Sequence, residues 1–376
     1  MHILIAPNAF KSSLPATAVA DSIREGLLNS KLNCTCECFP IGDGGDGTAE
    51  LIIKHCGGKN ISVSVHDPLG RLIQSTFGLI DSGNTAVIEM SNASGIRLLN
   101  PVEFDPLHTS TVGTGELICA ALDTGVKTII MGIGGSATVD GGSGLLQALG
   151  IQFLDVSGKK LSQLPECLVD LHAIDVSSLD KRILHCEFII LCDVENTLLG
   201  DNGAAAVFGP QKGASPEAVQ KLELGLKKFR DVTFQKTGFD MTILKHGGAA
   251  GGTAAGVAAF LNAKLVNGID HFLQITNFDE HLDKADFLIT GEGSIDAQTL
   301  DGKGPFGVAL KAKEKNIPVI GLAGRVPLIP DKKLQHYFDV LLAIGNEPAD
   351  LVSAMQSTAA NLKRTATAIG NLLSYS

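Results

Sequence analysis

The sequence lacks the features that would place the protein in a membrane, outside the cell or on a nucleic acid. No apolar run approaches the ~20 residues that a membrane-spanning helix needs. The start, "MHILIAPNAFK", has no basic segment before its apolar run and no small-residue cleavage site after it, so no secretion signal is indicated. The 30 basic residues are outnumbered by 40 acidic ones, a formal net charge of −10, which argues against a nucleic-acid surface. We therefore expect a cytoplasmic protein that binds neither membrane nor nucleic acid.

Paired cysteines are also missing. None of the eight cysteines forms a C-x-x-C pair, and a long chain can build its core without disulfides. We expect reduced thiols, with Cys34, Cys36 and Cys38 alternating along one face of a strand. The histidines show no H-x-x-x-H pattern, which counts against a structural zinc site.

The length and the hydrophobic pattern predict the fold class. A chain of 376 residues exceeds what one hydrophobic core usually supports, which favours two domains. Short apolar runs alternate with longer amphipathic stretches, a pattern typical of α/β layers around a largely parallel sheet. The expected strands are 2–6, 128–132, 188–193, 286–291, 319–324 and 340–345, and the expected helices are 16–30, 114–125, 215–232 and 348–373.

Polar and glycine-rich segments follow several of these apolar runs. They read "PNAFKSS", "GDGGDGT", "GIGGSATVDGGSG", "CDVEN" and "GEGSIDAQ". Ligands of open α/β sheets bind at the carboxyl ends of the strands. We therefore expect the functional groups of this protein in these segments.

The segment 132–144 is the richest in glycine. Exposed amides in such a loop, together with the start of the next helix, form a site for an anion such as phosphate; a turn with helix-capping hydroxyls is the plainer alternative. The pattern G-x-x-x-x-G-K-[ST] is absent, which excludes a P-loop as a sequence match. "GIGGSA" (132–137) fits G-x-G-x-x-A, with Asp155 about twenty residues further on, so an NAD-dependent hydroxy-acid dehydrogenase stays open.

Charged residues beside the other strand ends suggest phosphoryl transfer. Asp193 closes a predicted strand and Asp296 lies in "GEGSIDAQ". Such carboxylates hold magnesium or accept a proton, or they cap helices. Lys11 could neutralise charge on a phosphoryl oxygen, and Arg71 could bind a carboxylate through two nitrogens, although both also fit ordinary surface side chains.

Taken together, these segments resemble the bacterial glycerate kinase family. The resemblance is carried by "APNAFKSSL" (6–14), "GDGGDGT" (42–48), "DPLGR" (67–71), "GIGGSATVDGGSG" (132–144), "CDVENTLLG" (192–200), "AAVFGPQKGA" (205–214), "GGAAGG" (247–252) and "ADFLITGEGSIDAQTLDGKGPFGVA" (285–309). Ser12 departs from the family pattern, in which glycine is common after the lysine.

The resemblance implies a two-domain α/β protein. A flavodoxin-like domain built from both chain ends, expected at 1–90 and 281–376, would carry an inserted mixed α/β domain at 91–280. The active site is expected in the cleft between the domains. ATP and Mg²⁺ would serve as cofactors, and D-glycerate, a small molecule, would be phosphorylated, with 2-phosphoglycerate the usual product.

Phosphoryl transfer to a hydroxyl needs a base, a metal and a cation, and we assign residues to these roles within the resemblance. Asp193 is the expected base, Asp296 the magnesium ligand, Lys11 the cation on the transferred phosphoryl group and Arg71 the partner of the glycerate carboxylate; the two Asp roles could be exchanged. We expect Ser12 and Ser294 to hold substrate or phosphate oxygens. The expected nucleotide contacts are Gly134, Gly135, Ser136 and Thr138.

Two alternatives remain open from sequence. One is the nicotinamide-dependent dehydrogenase, and the other is a non-catalytic protein that binds a sugar acid in the same place. The choice between the 2- and the 3-hydroxyl of glycerate and the oligomeric state also stay open.

Overall fold

The computed structural model describes residues 1–300, 302–329 and 332–375. The chain divides into two compact units: unit 1 comprises Met1–Asp43 and Ile269–Ser376, and unit 2 comprises Gly44–Gly268. No helix within these described residues combines the length and the apolar content that crossing a membrane requires.

The strands and helices follow one another along the chain in α/β fashion. The strands are β1 His2–Ile5, β2 Thr35–Cys38, β3 Lys59–His66, β4 Leu72–Ile80, β5 Thr85–Glu89, β6 Thr128–Gly132, β7 Gln152–Leu154, β8 Ala173–Asp175, β9 Glu187–Cys192, β10 Lys264–Asn267, β11 Phe287–Ser294, β12 Val319–Arg325 and β13 Val340–Ala343. The helices are α1 Ala16–Leu28, α2 Thr48–His55, α3 Ser91–Ser94, α4 Val112–Asp123, α5 Ser143–Ala148, α6 Ala204–Phe208, α7 Pro216–Thr237, α8 Thr253–Leu261, α9 Gly268–Ile275, α10 Phe278–Leu282, α11 Gly304–Glu314, α12 Lys332–Tyr337, α13 Leu351–Gln356 and α14 Thr358–Leu373.

Unit 1 contains a five-stranded sheet in the order β13-β12-β11-β1-β2. All of its strand pairs are parallel, so the spatial order is the flavodoxin-like one. Because strands of such sheets are covered on both faces, they read as continuous apolar runs. Ile3, Ile5 and Ile289 of the sheet share one buried cluster with Ile23 of α1 and Leu362 of α14.

Unit 2 contains a six-stranded mixed sheet in the order β10-β9-β6-β5-β4-β3. β5, β6, β9 and β10 are parallel, whereas β4 runs antiparallel to both β3 and β5. The strands β3, β5, β6, β9 and β10 therefore all end at the same edge. A separate antiparallel pair, β7 and β8, lies outside this sheet.

The predicted α/β class and the six predicted strands are confirmed. Three of the predicted helices correspond to α1, α4 and α7, but the stretch 348–373 is two helices rather than one. Ser13 lies beside the break at Ser357, where its Oγ is 2.7 Å from the Met355 carbonyl oxygen and 2.8 Å from Thr358 Oγ1.

The boundary between the two units differs from the one predicted from the sequence. Sequence analysis placed residues 44–90 with the chain ends, but the structure places them in unit 2. The reason is hydrogen bonding, since β3 and β4 pair with each other, β4 pairs with β5, and β5 pairs with β6. In β3, as "KNISVSVH" shows, polar and apolar residues alternate, so the sequence has no continuous apolar run that would identify a buried strand.

The contact between α1 and α14 requires a glycine. A Cβ atom at Gly26 would overlap the Lys363 carbonyl oxygen and lie 2.7 Å from the Ala366 Cβ. The two helices therefore approach each other more closely at this point than any larger residue permits.

We predict that Gly26→Ala destabilises the protein by about 1–3 kcal/mol through this overlap. Helix propensity alone would give the opposite sign, a gain of about 1 kcal/mol. The free energy of unfolding in urea tests this, with Gly345→Ala as the control because a Cβ there meets nothing within 4 Å. A stabilised Gly26→Ala variant would contradict the packing described here.

Candidate functional site

In unit 1, buried polar side chains gather where β1, β2 and β11 end. Asn8 follows β1 and donates through Nδ2 to Asp43 Oδ2 at 2.7 Å, and both residues are buried. Glu292 lies near the end of the neighbouring strand β11. The boundary between β1 and β11 is the point at which ligands bind in flavodoxin-like sheets.

Glu292 is the most perturbed acid of this group. Its side chain is 8% exposed, and Oε1 accepts a hydrogen bond from Thr299 Oγ1 at 3.0 Å. Burial raises the pKa of Glu292 to about 7, although the positive charges of Lys303 and Lys11 act in the opposite direction. A carboxyl group with this pKa can exchange a proton near neutral pH. Sequence analysis did not assign Glu292 a role, because its burial is not visible in "GEGS".

Lys11 and Ser12 lie in an exposed turn after β1. The turn is closed by two hydrogen bonds between the backbones of Phe10 and Leu14, each 2.9 Å. Ser12 has a φ of 62°, in the left-handed region that favours glycine. This conformation explains why a glycine suits the position.

Ser294 and Asp296 are brought together after β11. Ser294 Oγ donates to Asp296 Oδ2 at 3.3 Å, and Asp296 Oδ1 accepts from the amide of Gln298 at 2.9 Å. Asp296 is only partly buried. One of its oxygens therefore caps the following turn, while the carboxylate as a whole stays accessible to solvent.

In unit 2, the loop 132–144 follows β6 and is packed against two other segments. The Gly134 amide donates to the Gly44 carbonyl at 3.2 Å, and a Cβ at Gly134 would lie 2.6 Å from the Cα of Gly45. On its other side, the loop accepts from Ile96 through the Gly135 carbonyl at 2.9 Å. Glycine at 134 is thus required by the approach of a neighbouring backbone.

The predicted nucleotide contacts of this loop differ in accessibility. Gly135 is exposed and Gly134 partly so. Ser136 and Thr138 are 6% and 0% exposed. Each of them contacts Lys212, whose Nζ donates to Ser136 Oγ and to the Thr138 carbonyl, each at 2.7 Å.

Arg71 and Asp193 also lie at this edge of the sheet. Asp193 follows β9 directly and is half-buried. Arg71 ends the turn between β3 and β4, where its Nε donates to Asp67 Oδ2 at 2.5 Å and its Nη1 donates to Glu103 Oε1 at 2.7 Å. The guanidinium group is therefore already paired with two carboxylates of the protein. Its position is suited to binding a carboxylate ligand, but its nitrogens are engaged within the protein.

Glu89, at the end of β5, was not identified from sequence. It is 3% exposed, and its Oε2 accepts from the Ala49 amide at 2.9 Å, at the start of α2. Its Oε1 is buried and has no hydrogen-bond partner among the described residues. Burial raises the pKa of Glu89 to about 8, so the carboxyl is protonated at neutral pH.

Asp46 Oδ1 accepts from Ser91 Oγ at 2.6 Å and lies 3.0 Å from Arg97 Nη1, and its side chain does not cap α2.

Asp155 does not occupy the place that a dinucleotide site requires. It follows β7, which pairs with β8 and not with β6. Its Oδ1 accepts from the amides of Ser157 at 2.8 Å and Lys159 at 3.0 Å, so the residue closes a turn. The spacing that matched a dehydrogenase fingerprint is therefore coincidental.

The buried Glu89 carboxyl predicts a pH-dependent stability. Its pKa is higher in the folded than in the unfolded chain, so the wild type loses stability as the pH rises from 4.5 to about 8. Relative to wild type, Glu89→Gln should gain up to about 1.4 kcal/mol per pH unit across this window. Urea unfolding at several pH values tests this, with Glu50→Gln on the exposed face of α2 as control. A pH-independent difference between Glu89→Gln and wild type would contradict the buried, protonated carboxyl.

The left-handed backbone at Ser12 predicts that Ser12→Gly stabilises the protein by about 1 kcal/mol. Lys11→Gly, at a neighbouring position without a positive φ, should instead be neutral or destabilising. Thermal or urea unfolding distinguishes the two variants. Equal effects would show that the turn is not strained at Ser12.

Comparison with known proteins assigns the chain to a family. A model of the glycerate kinase family matches residues 3–374. The glycerate kinase of Bacillus subtilis (strain 168) is 42% identical over 97% of this chain and 96% of its own, and the glycerate 2-kinase of Escherichia coli (strain K12) is 41% identical over 92% of each. A solved structure of a glycerate kinase 2 from Salmonella typhimurium LT2 covers 100% of this chain and 98% of its own with a TM-score of 0.84 at 41% identity. The chain therefore belongs to the glycerate kinase family.

Proposed function

We propose that the protein transfers the γ-phosphoryl group of ATP to D-glycerate, with 2-phosphoglycerate as the product. The observation that carries this proposal is the family match over residues 3–374, together with a 2-kinase among the relatives. The family match overturns the dehydrogenase interpretation, and the place of Asp155 outside the main sheet agrees with that correction. A non-catalytic binding protein is not favoured by any feature of the site.

The proposed base is Asp193. The glycerate hydroxyl must lose its proton as it attacks the γ-phosphorus, and a carboxylate beside the hydroxyl can accept that proton. Asp193 follows a buried strand and remains partly accessible to solvent. The neighbouring Cys192 is buried, and this burial raises the pKa of its thiol to about 12, with a smaller contribution from the negative charge of Asp193. The thiol therefore stays protonated and takes no part in the chemistry.

Four side chains are proposed to bind the substrates. Lys11 is proposed to neutralise charge on the transferred phosphoryl group, which is where electrostatic stabilisation has most effect. Arg71 is proposed to bind the glycerate carboxylate in place of Glu103, whose side chain contacts only one of its nitrogens. Ser12 and Ser294 are proposed to hold substrate or phosphate oxygens.

The nucleotide is proposed to contact the loop after β6. Gly134 and Gly135 form its accessible part, while Ser136 and Thr138 act from within the loop. Glu292 is an additional group of unit 1 that is able to exchange a proton near neutral pH.

Mg²⁺ would accompany ATP. In the described part of the chain, no three His, Cys, Asp or Glu side chains are arranged to hold a metal ion. Kinase magnesium is commonly held by one or two carboxylates together with the substrate phosphates, and the accessible carboxylate of Asp296 suits this mode. The metal, when bound, would neutralise charge on the phosphate oxygens.

The reaction is tested by coupling ADP formation to D-glycerate and locating the phosphate by ³¹P and ¹H NMR. We expect ADP to form only with glycerate present, and the phosphate to be on the 2-hydroxyl. Glycerate binding without ADP would refute the kinase activity for this chain, and a 3-phosphate would refute the proposed product.

For the base, we predict that Asp193→Asn lowers kcat by roughly 100-fold or more, because general bases contribute about 10²–10⁴-fold. Nucleotide affinity should stay near the wild-type value, since the amide is nearly isosteric. The control is Asp201→Asn, at an exposed position in the same segment. An Asp193→Asn variant that turns over at the wild-type rate would remove Asp193 from this role and leave Asp296 or Glu292 to be tested next.

A further inference from the structure

Lys212 is a buried lysine in unit 2 to which no role was assigned from the sequence. It lies in a short turn after α6 and is 4% exposed. The turn has a fixed shape, because Gly213 has a φ of 97° and a Cβ there would overlap the Phe104 carbonyl. The backbone that carries the lysine is therefore held firmly in place.

The ammonium group of Lys212 reaches the loop 132–144 from its buried side. It donates to Ser136 Oγ and the Thr138 carbonyl, each at 2.7 Å. Gly134 and Gly135 of the same loop are partly exposed and exposed, respectively, whereas Ser136 and Thr138 are buried. Thr138 Oγ1 is buried without a hydrogen-bond partner in the described part of the chain, so the Thr138 carbonyl, and not its hydroxyl, is the group that Lys212 contacts.

Among the described residues, the charge that acts on Lys212 is that of Asp140. The Asp140 carboxylate already accepts four hydrogen bonds, from the amides of Thr111, Gly142 and Gly144 and from the Thr111 hydroxyl, and none of them comes from Lys212. Burying a charge without a close counter-ion is costly. Hydrogen bonds to a hydroxyl and a carbonyl need only a neutral donor, so a residue that can also become positively charged at this place points to a negative ligand at the loop.

We propose that Lys212 is the positioning residue of the nucleotide phosphates, fixing the loop through Ser136 and Thr138 and supplying positive charge behind the backbone of Gly134 and Gly135. This inference rests on the proposed function of that loop as the nucleotide site. It assigns a residue 68 positions or more beyond the loop to the binding of an anionic polyphosphate.

The titration of Lys212 gives the inference a distinctive signature. Burial lowers the pKa of Lys212 to about 7, against the opposing charge of Asp140. The free protein therefore carries a largely neutral amine at pH 8. A bound polyphosphate favours the ammonium form, so nucleotide binding at pH 8 should take up a proton from the buffer.

The first experiment compares Lys212→Met and Lys212→Arg with Lys227→Met, an exposed lysine of α7 in the same unit. Loss of charge-assisted hydrogen bonds predicts a weakening of MgATP binding by roughly 10- to 100-fold in Lys212→Met. The KM for D-glycerate should stay near the wild-type value, and Lys212→Arg should recover part of the loss. Wild-type MgATP affinity in a folded Lys212→Met would overturn the inference and leave the kinase activity intact, whereas a wild type that binds no MgATP would overturn both.

The second experiment begins with the wild type, which gives a result even if a variant fails to fold. Calorimetric titration of wild type with MgATP at pH 8, in buffers of different ionisation enthalpy, measures the protons exchanged on binding. We expect uptake by wild type and none by Lys212→Arg, whose guanidinium is always charged. The absence of uptake in wild type, or equal uptake in Lys212→Arg, would overturn the assignment even if the protein phosphorylates glycerate.

Discussion

Parallel strand pairing is the constraint on which the site depends. When neighbouring strands run in the same direction, the chain leaves all of them at one edge, and the segments that follow must meet there. In unit 1 this brings the segments after β1, β2 and β11 together, and in unit 2 the segments after β3, β5, β6 and β9. The remaining antiparallel strand, β4, begins at the same edge and adds Arg71.

Three ionisable groups are buried near these edges of the two sheets. Glu292 in unit 1, and Glu89 and Lys212 in unit 2, have pKa values of about 7, 8 and 7, displaced by burial in every case. Such groups lower stability in part of the pH range. Perturbed groups of this kind concentrate at functional sites, and here all of them lie on or against the loops that follow the parallel strands.

The fold and the functional edges were predictable from sequence where the physical signal is local. Apolar runs such as "FIIL" and "VIGL" identify strands buried on both faces, and polar segments directly after them identify the functional edge. The strands β3 and β4 were not predictable in this way, because their alternating polar residues give no continuous apolar run. The domain boundary was therefore expected near residue 90, whereas the structure has it at residue 43. The match of Asp155 to a dinucleotide fingerprint also failed, because spacing along the chain does not determine which strands pair.

The buried polar contacts were beyond prediction for a related reason. Lys212 reaches Ser136 across 76 positions of sequence, and Glu89 reaches the amide of Ala49 across 40. Nothing in either segment alone records its partner. Thr138 shows the same limit: its residue type suggested a nucleotide contact, whereas its carbonyl faces Lys212 and its side chain is fully buried.

The most direct test is a crystal structure of the protein with a non-hydrolysable ATP analogue, Mg²⁺ and D-glycerate. The account predicts phosphate density against Gly134 and Gly135, with Lys212 still bonded to Ser136 on the other side of the loop. It also predicts that both ligands contact residues following the carboxyl ends of the parallel strands. Ligands bound at the opposite edges of the sheets, or phosphates away from this loop, would contradict it.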